Sequence, residues 1–161
     1  MKGQIVPNLW FDTEAEEAAE FYCSVFKNSR IVGKTHYPEG SGPAGQVLTV
    51  EWELDGQRFV GINGGPQFKF SEAISLSISC EDQEEVDYYW ERLTADGGEE
   101  SMCGWLKDRY GLSWQVVPKG MDELFGDDDP ERASRAFEAM MKMRKLDIAA
   151  LQSAADGVPA P

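Results

Sequence analysis

The sequence predicts an α+β protein in which two copies of one β-α-β-β-β plan are followed by a helical extension. Three observations carry this prediction. Residues 74–80 alternate Ile, Ser, Leu, Ser, Ile, Ser, Cys, the period-two signature of a strand with one apolar face. Two helical stretches share a spacing: Glu16-Glu17, Phe21-Tyr22 and Val25 recur as Glu84-Glu85, Tyr89-Trp90 and Leu93 at a constant offset. Between two strand-like runs, Asp55-Gly56 is a strong two-residue hairpin signal. One such unit would leave a sheet face uncovered, so duplication is physically reasonable.

Taken in order, residues 5–11 read as a strand, and Thr13 with Glu16 as a T-x-x-E capping box. Ala15, Ala18, Ala19, Tyr22, Val25 and Phe26 then recur on one helical face. Strands follow over 30–37, 46–54 and 57–62, the first two separated by the Gly- and Pro-rich loop PEGSGPAG. The second module opens with the serine-alternating strand, and Asp82 with Glu85 repeats the capping logic. Val86, Tyr89, Trp90 and Leu93 form its helical stripe, and strands are expected near 99–102, 104–108 and 113–117. Asp129 as N-cap and Pro130 at the first helical position start a C-terminal helix. Its stripe of Ala133, Phe137, Met140, Met141, Ile148 and Leu151 runs to about Ala155, and the tail 156–161 is expected to be disordered. The domain boundaries are therefore 1–120 for the paired modules (about 4–66 and 73–118) and 121–155 for the helical extension.

Composition narrows the function. A net charge of -14 and a pI near 4.4 argue against nucleic acids and anionic membranes, which both need basic patches. No apolar run reaches the roughly 18 residues required to span a bilayer, and the N-terminus enters a strand pattern without a signal-peptide core. Three cysteines, Cys23, Cys80 and Cys103, lack metal-ligand spacing and read as reduced thiols of a cytoplasmic protein. With His36 as the single histidine, a His-rich metal site or a Cys–His–Asp triad is scarcely possible.

The stretches FVGINGGPQFKFSEAISLSISCEDQEEVDYYWERL and CGWLKDRYGLSWQVVP, joined to the paired βαβββ pattern, carry a resemblance. The chain is similar to the PhnB-like group, often described as 3-demethylubiquinone-9 3-methyltransferase, within the vicinal oxygen chelate superfamily. That superfamily includes glyoxalase I, extradiol dioxygenases and bleomycin-resistance proteins. The resemblance spans about residues 4–120 and, for the narrower group, the C-terminal helix. It implies a glyoxalase/bleomycin resistance-like fold, with curved mixed sheets around a cavity, and a homodimer. It also implies that catalytic relatives hold a divalent metal through His and Glu, as a Lewis acid or to bind dioxygen. Matched residue by residue, the last-strand Glu falls on Gln115, one His near Ser75, and the N-terminal His on Pro7 or Asn8. None of these is a good ligand, so no metal or other cofactor is expected.

Strand alternation places Gln115 on a face with Ser113 and Val117, opposite Trp114 and Val116. Ser75, Ser77 and Ser79 share a second face, facing either solvent or a cavity. Asn63 reads as a pocket donor and acceptor or as a turn residue. Trp10, Phe68, Phe70 and Trp105 offer an aromatic wall or core packing, and Glu51 with Glu53 offer acid/base carboxylates or plain exposure. Asp108 and Arg109 open a turn before Gly111, with Asp-to-backbone bonding the simplest account. In the leading expectation, a small-molecule ligand is bound without a competent metal site. The alternatives are a metal-dependent lyase, isomerase or dioxygenase with a degenerate site around Gln115, His36 and a glutamate, or a structural domain. A methyltransferase activity is not expected. Gly61-Ile62-Asn63-Gly64-Gly65-Pro66 is followed by Gln67 to Phe70 rather than by the helix of a nucleotide-binding loop.

Overall fold

A computed structural model describes residues 5–43, 45–126 and 128–158. The chain divides into two compact units, Met1–Phe70 and Ser71–Pro161. In the first, β1 (Asn8–Phe11) leads to α1 (Ala15–Val25), then β2 (Ser29–His36), β3 (Val47–Leu54) and β4 (Gln57–Asn63). The sheet order is β1-β4-β3-β2, with β1 parallel to β4 and the other pairs antiparallel. The β3–β4 hairpin turns at Asp55 and Gly56, both with positive φ (46° and 82°), as a two-residue turn matched to strand twist requires.

One face of this sheet is buried under α1. Ala15, Ala18, Ala19, Tyr22 and Val25 meet Leu9, Phe11, Val50, Trp52, Leu54 and Phe59. Trp52 is fully buried, with Tyr22 and Phe59 stacked beside it at centroid distances of 6.0 and 5.8 Å. Truncating an aromatic residue so enclosed costs about 3–5 kcal/mol. Gly61 is demanded by this packing, since a Cβ there would lie 2.9 Å from the Trp52 ring.

The Thr13–Glu16 capping box does not form. Helix α1 starts one residue later than that box needs, with Glu14 at the N-cap and no side-chain cap bond. The acceptor for the Ala15 N–H comes instead from the Asn63 side chain at 2.8 Å, and Glu16 pairs with Lys34. A tertiary contact thus serves the first turn where the local box does not.

The second unit repeats the plan with β5 (Ser75–Cys80), α2 (Gln83–Thr94), β6 (Glu99–Glu100), β7 (Trp105–Lys107) and β8 (Ser113–Pro118). Its order is β5-β8-β7-β6, again with the first strand parallel to the last. Here the capping prediction holds: Asp82 accepts from the Glu85 N–H at 3.0 Å, while the Glu85 carboxylate accepts from the Glu81 N–H. Val86, Trp90 and Leu93 pack on Ile78, Cys80, Leu106, Trp114 and Val116.

The extension is not the single helix expected from its stripe. It forms α3 (Met121–Phe125), α4 (Pro130–Met140) and α5 (Ile148–Ala155). Asp129 and Pro130 start α4 as predicted, but Asp147 caps a new helix by accepting from the Ala150 N–H at 2.8 Å. The intervening segment is pinned: Cys103 and Gly104 N–H groups donate to Met143 and Arg144 carbonyls at 2.8 and 2.7 Å. Gln83 brackets the same break, donating to the Leu146 carbonyl and accepting from the Ile148 N–H. Met121, Leu146 and Leu151 form a small core with Val117, Phe125, Met140 and Met143 around it. Phe137 and Met141, expected in the apolar stripe, are 51% and 50% exposed. Of the tail expected to be disordered, Gly157 and Val158 N–H groups bond back to Ala154 and Ser153, and residues 159–161 lie outside the described residues.

Candidate ligand site

The last strand of the second unit is aimed by the turn that precedes it. Asp108 is buried, and its carboxylate accepts from the Tyr110 and Leu112 N–H groups and from the Trp114 indole at 2.9, 3.1 and 2.8 Å. Gly111 completes the turn at φ 84° and donates to the Asp108 carbonyl. With Trp114 and Val116 drawn into the core, Ser113, Gln115 and Val117 take the other face, because strand side chains alternate.

Register assembles that open face. Gln115 lies between Ser77 on β5 and Trp105 on β7, and Ser113 lies between Ser75 and Lys107. Gln115 Nε2 donates to Ser75 Oγ at 2.8 Å. Ser77 and Ser79 are exposed, whereas Ser75, Gln115 and Trp105 are half-buried. Four sequence candidates, Gln115, Ser75, Ser77 and Trp105, thus share one sheet face.

Beside them lies a pocket of about 140 Å³ whose lining includes Glu72, Glu99, Glu100, Trp105, Lys107 and Ser113. Lys107 is ion-paired with Glu72, and Glu99 stands opposite Lys107 in the strand register. The hydrogen bond from Lys107 holds the Glu72 carboxyl below the usual carboxylate range, and the same bond raises the Lys107 ammonium. Glu100 is held low first by the Trp90 indole N–H at 2.8 Å and then by Arg144. Ser113 is 1% exposed, and its hydroxyl has no partner among the described residues. A buried hydroxyl left unpaired costs about 1–3 kcal/mol, so the oxygen is a poor choice for packing alone. Sequence reasoning put Ser113 on this face but did not single it out. Its near-complete burial is not revealed by any local pattern.

The candidates of the first unit fall elsewhere. Asn63 is spent on structure: it accepts from Ala15, donates to the Val47 carbonyl at 3.0 Å, and its own carbonyl accepts the Tyr37 hydroxyl. It borders an open groove of about 780 Å³ with Asp12, Glu16, Tyr37 and Gln46, whose Glu16 and Tyr37 already have partners. Trp10 donates to the Gly65 carbonyl at 2.8 Å and meets Phe68 edge-on, and Phe70 meets Phe11 in the same way. Gly64 is needed because a Cβ would fall 2.2 Å from the Trp10 ring. Glu51 and Glu53 are paired with Arg58 and Arg30. His36 is exposed at the end of β2, opposite Val47. In the second unit, Arg109 pairs with Asp96 at 2.6 Å, and Cys103 Sγ contacts Met141 Sδ at 3.6 Å.

The residues matched to metal ligands do not fit a divalent ion. Gln115 offers an amide and Ser75 a hydroxyl, both engaged with each other; Asn8 is exposed and donates to the Val6 carbonyl. Divalent transition metals in such folds need imidazole or carboxylate donors. Among the described residues no group of three or more His, Cys, Asp or Glu is placed to hold a metal.

Paired βαβββ units of this topology define the vicinal oxygen chelate architecture, and comparison with known proteins agrees. A sequence profile described as 3-demethylubiquinone-9 3-methyltransferase matches residues 3–117, and the chain belongs to that family. A PhnB protein from Bacillus cereus with the same description is 35% identical, with a TM-score of 0.65, covering 72% of this chain and 99% of that one. At the level of fold alone, the chain is similar to the fosfomycin resistance protein FosX of Listeria monocytogenes, solved with Mn(II) and sulfate. That match has 14% identity and a TM-score of 0.54, over 76% of this chain and 94% of that one. A glyoxylase/bleomycin resistance protein/dioxygenase domain from Frankia is 16% identical at TM-score 0.50, covering 73% and 92%. No curated protein matches by sequence. The family description names a methyl transfer, yet the glycines after β4 form a bend against Trp10 rather than a nucleotide loop leading into a helix.

Proposed function

We propose that the protein binds a small organic molecule on the open face of the second sheet, around Gln115, Ser75, Ser77, Trp105 and Ser113, without a chelated metal. The observation that carries this reading is the Gln115–Ser75 hydrogen bond. It joins two positions matched to metal ligands in catalytic relatives into one neutral, polar surface. An amide, hydroxyls and an indole recognise a polar ligand through hydrogen bonds and an aromatic contact, the usual composition of a small-molecule pocket. The pocket beside them supplies volume, and Ser113 supplies an unused donor and acceptor. The same reading takes the protein as cytoplasmic and as a homodimer. The three cysteines without metal-ligand or paired spacing support the first, and family habit together with the Met-rich extension, where Phe137 and Met141 are half-exposed, supports the second.

A thermal-shift screen of divalent metals and metabolites tests this, because a ligand selective for the folded state raises the melting temperature by mass action. The expected result is no shift with metals and a hit among organic ligands, weakened by Gln115→Ala. A stoichiometric divalent ion bound at Gln115 would overturn the reading in favour of the metal-dependent enzyme.

A further inference from the structure

We infer that the pocket beside Ser113 selects a small organic ammonium ion. This rests on the reading that the open face of the second sheet binds small molecules, and adds the charge and size of what enters it. Three observations converge. The first is Ser113, a pocket-lining residue 1% exposed whose hydroxyl has no partner among the described residues. A hydroxyl without a partner can accept from a donor, and an ammonium group is a charged donor that forms hydrogen bonds about twice as strong as neutral ones. The second is charge. Three carboxylates, Glu72, Glu99 and Glu100, and one ammonium, Lys107, line the pocket, so it carries an excess of negative charge. Lys107 already pairs with Glu72, and Glu100 is engaged by the Trp90 indole and Arg144, so Glu99, opposite Lys107 in the register, is the lining carboxylate offered to a bound cation. The third is Trp105, a half-buried indole in the same lining, since cations bind the faces of Trp rings.

Size limits the class. A cavity of roughly 150 Å³ accommodates a molecule as large as benzene, so about 140 Å³ admits a short alkyl or hydroxyalkyl amine and excludes a nucleotide or a quinone ring with its tail. The Lys107–Glu72 pair stands in the same lining. The pair is exposed, with side-chain exposures of 32% and 64%, and ion pairs of that kind are weak.

The test is a charge series of nearly equal size: ethanolamine, ethylene glycol and glycolate, titrated into the full-length protein by calorimetry and ligand-observed NMR. Ethanolamine is expected to bind and the other two not to. Ser113→Ala is expected to weaken ethanolamine about tenfold or more, the loss of one charged hydrogen bond. It is also expected to raise the melting temperature of the free protein by removing an unpaired polar group. Glu99→Gln provides an independent variant and is expected to weaken ethanolamine severalfold. Equal binding by glycolate or the glycol, no binding by ethanolamine, or ethanolamine binding indifferent to Ser113→Ala would each overturn the inference. Those outcomes leave the open face standing as a binding surface if a different ligand is weakened by Gln115→Ala. An organic hit untouched by both Gln115→Ala and Ser113→Ala would overturn the underlying reading instead.

Discussion

The Gln115 amide donates to the Ser75 hydroxyl across the parallel β5–β8 pair, at 2.8 Å. Each satisfies the other, and the pair costs nothing to leave without an ion. Restoring the carboxylate alone is therefore not expected to restore chelation. Gln115→Glu should bind no stoichiometric Mn(II) or Zn(II) after dialysis, because one carboxylate and a hydroxyl fall short of the donor set such ions require. Metal analysis of the dialysed variant, beside Gln115→Glu combined with Ser75→His, checks this. Retention of metal by the single variant would contradict it.

Asp108 makes the β7–β8 turn by accepting from two backbone N–H groups and one indole. Asp108→Ala leaves these donors buried and unpaired, and should destabilise the protein by about 3 kcal/mol or more. Chemical denaturation would show it as a lower midpoint. Asp108→Asn keeps one acceptor oxygen and should lose less.

Asn63 joins α1, β3 and the end of β4 through a single side chain. Asn63→Ala is expected to cost about 2–3 kcal/mol, the loss of a helix-start acceptor plus an unsatisfied carbonyl at Val47. Asn63→Asp preserves the Ala15 bond and should recover part of the loss, which denaturant titration of both variants would resolve.

Burial pushes the Cys80 thiol up to about 12, with Glu85 and Asp82 adding to the shift. The unfolded thiol ionises near its ordinary value of 9.0, so between the two values the folded chain holds a proton that the unfolded chain releases. The stability from the neutral thiol is complete below about 9 and is lost as pH rises toward 12. Native protein should alkylate last at Cys80, since the thiolate is the reactive species. Peptide mapping after brief iodoacetamide treatment at mildly alkaline pH would check the order, and Cys80→Ala should flatten the alkaline fall in stability.

Much of the fold was legible because it is written in local periodicity. The serine-alternating strand, Asp55-Gly56 and the Asp82–Glu85 cap each act over a few residues, and each formed. The Thr13–Glu16 box failed for the converse reason: Glu16 is drawn to Lys34 on β2, and Asn63, 48 positions from Ala15, supplies an acceptor to the first turn. The extension was misread as one helix because its apolar stripe continues through the break. What interrupts it is the demand of Cys103 and Gly104 for acceptors, which is invisible in the segment itself. At the candidate site, alternation correctly grouped Gln115 with Ser113, and Ser75 with Ser77. Their union across strands needed the register, and the importance of Ser113 needed its burial.

The resemblance expected over the C-terminal helix does not extend there in these matches: the family region ends at residue 117, and the Bacillus cereus protein matches along 99% of its length while covering only 72% of this chain. The segment beyond is nonetheless stitched to the second unit by two backbone bonds from Cys103 and Gly104, by the Gln83 side chain, and by the Lys145–Asp87 ion pair. The second unit therefore depends on this segment. Truncation after residue 117 would remove the acceptors of the Cys103 and Gly104 N–H groups and the apolar cover of Val117, so the extension acts as part of the second unit's scaffold.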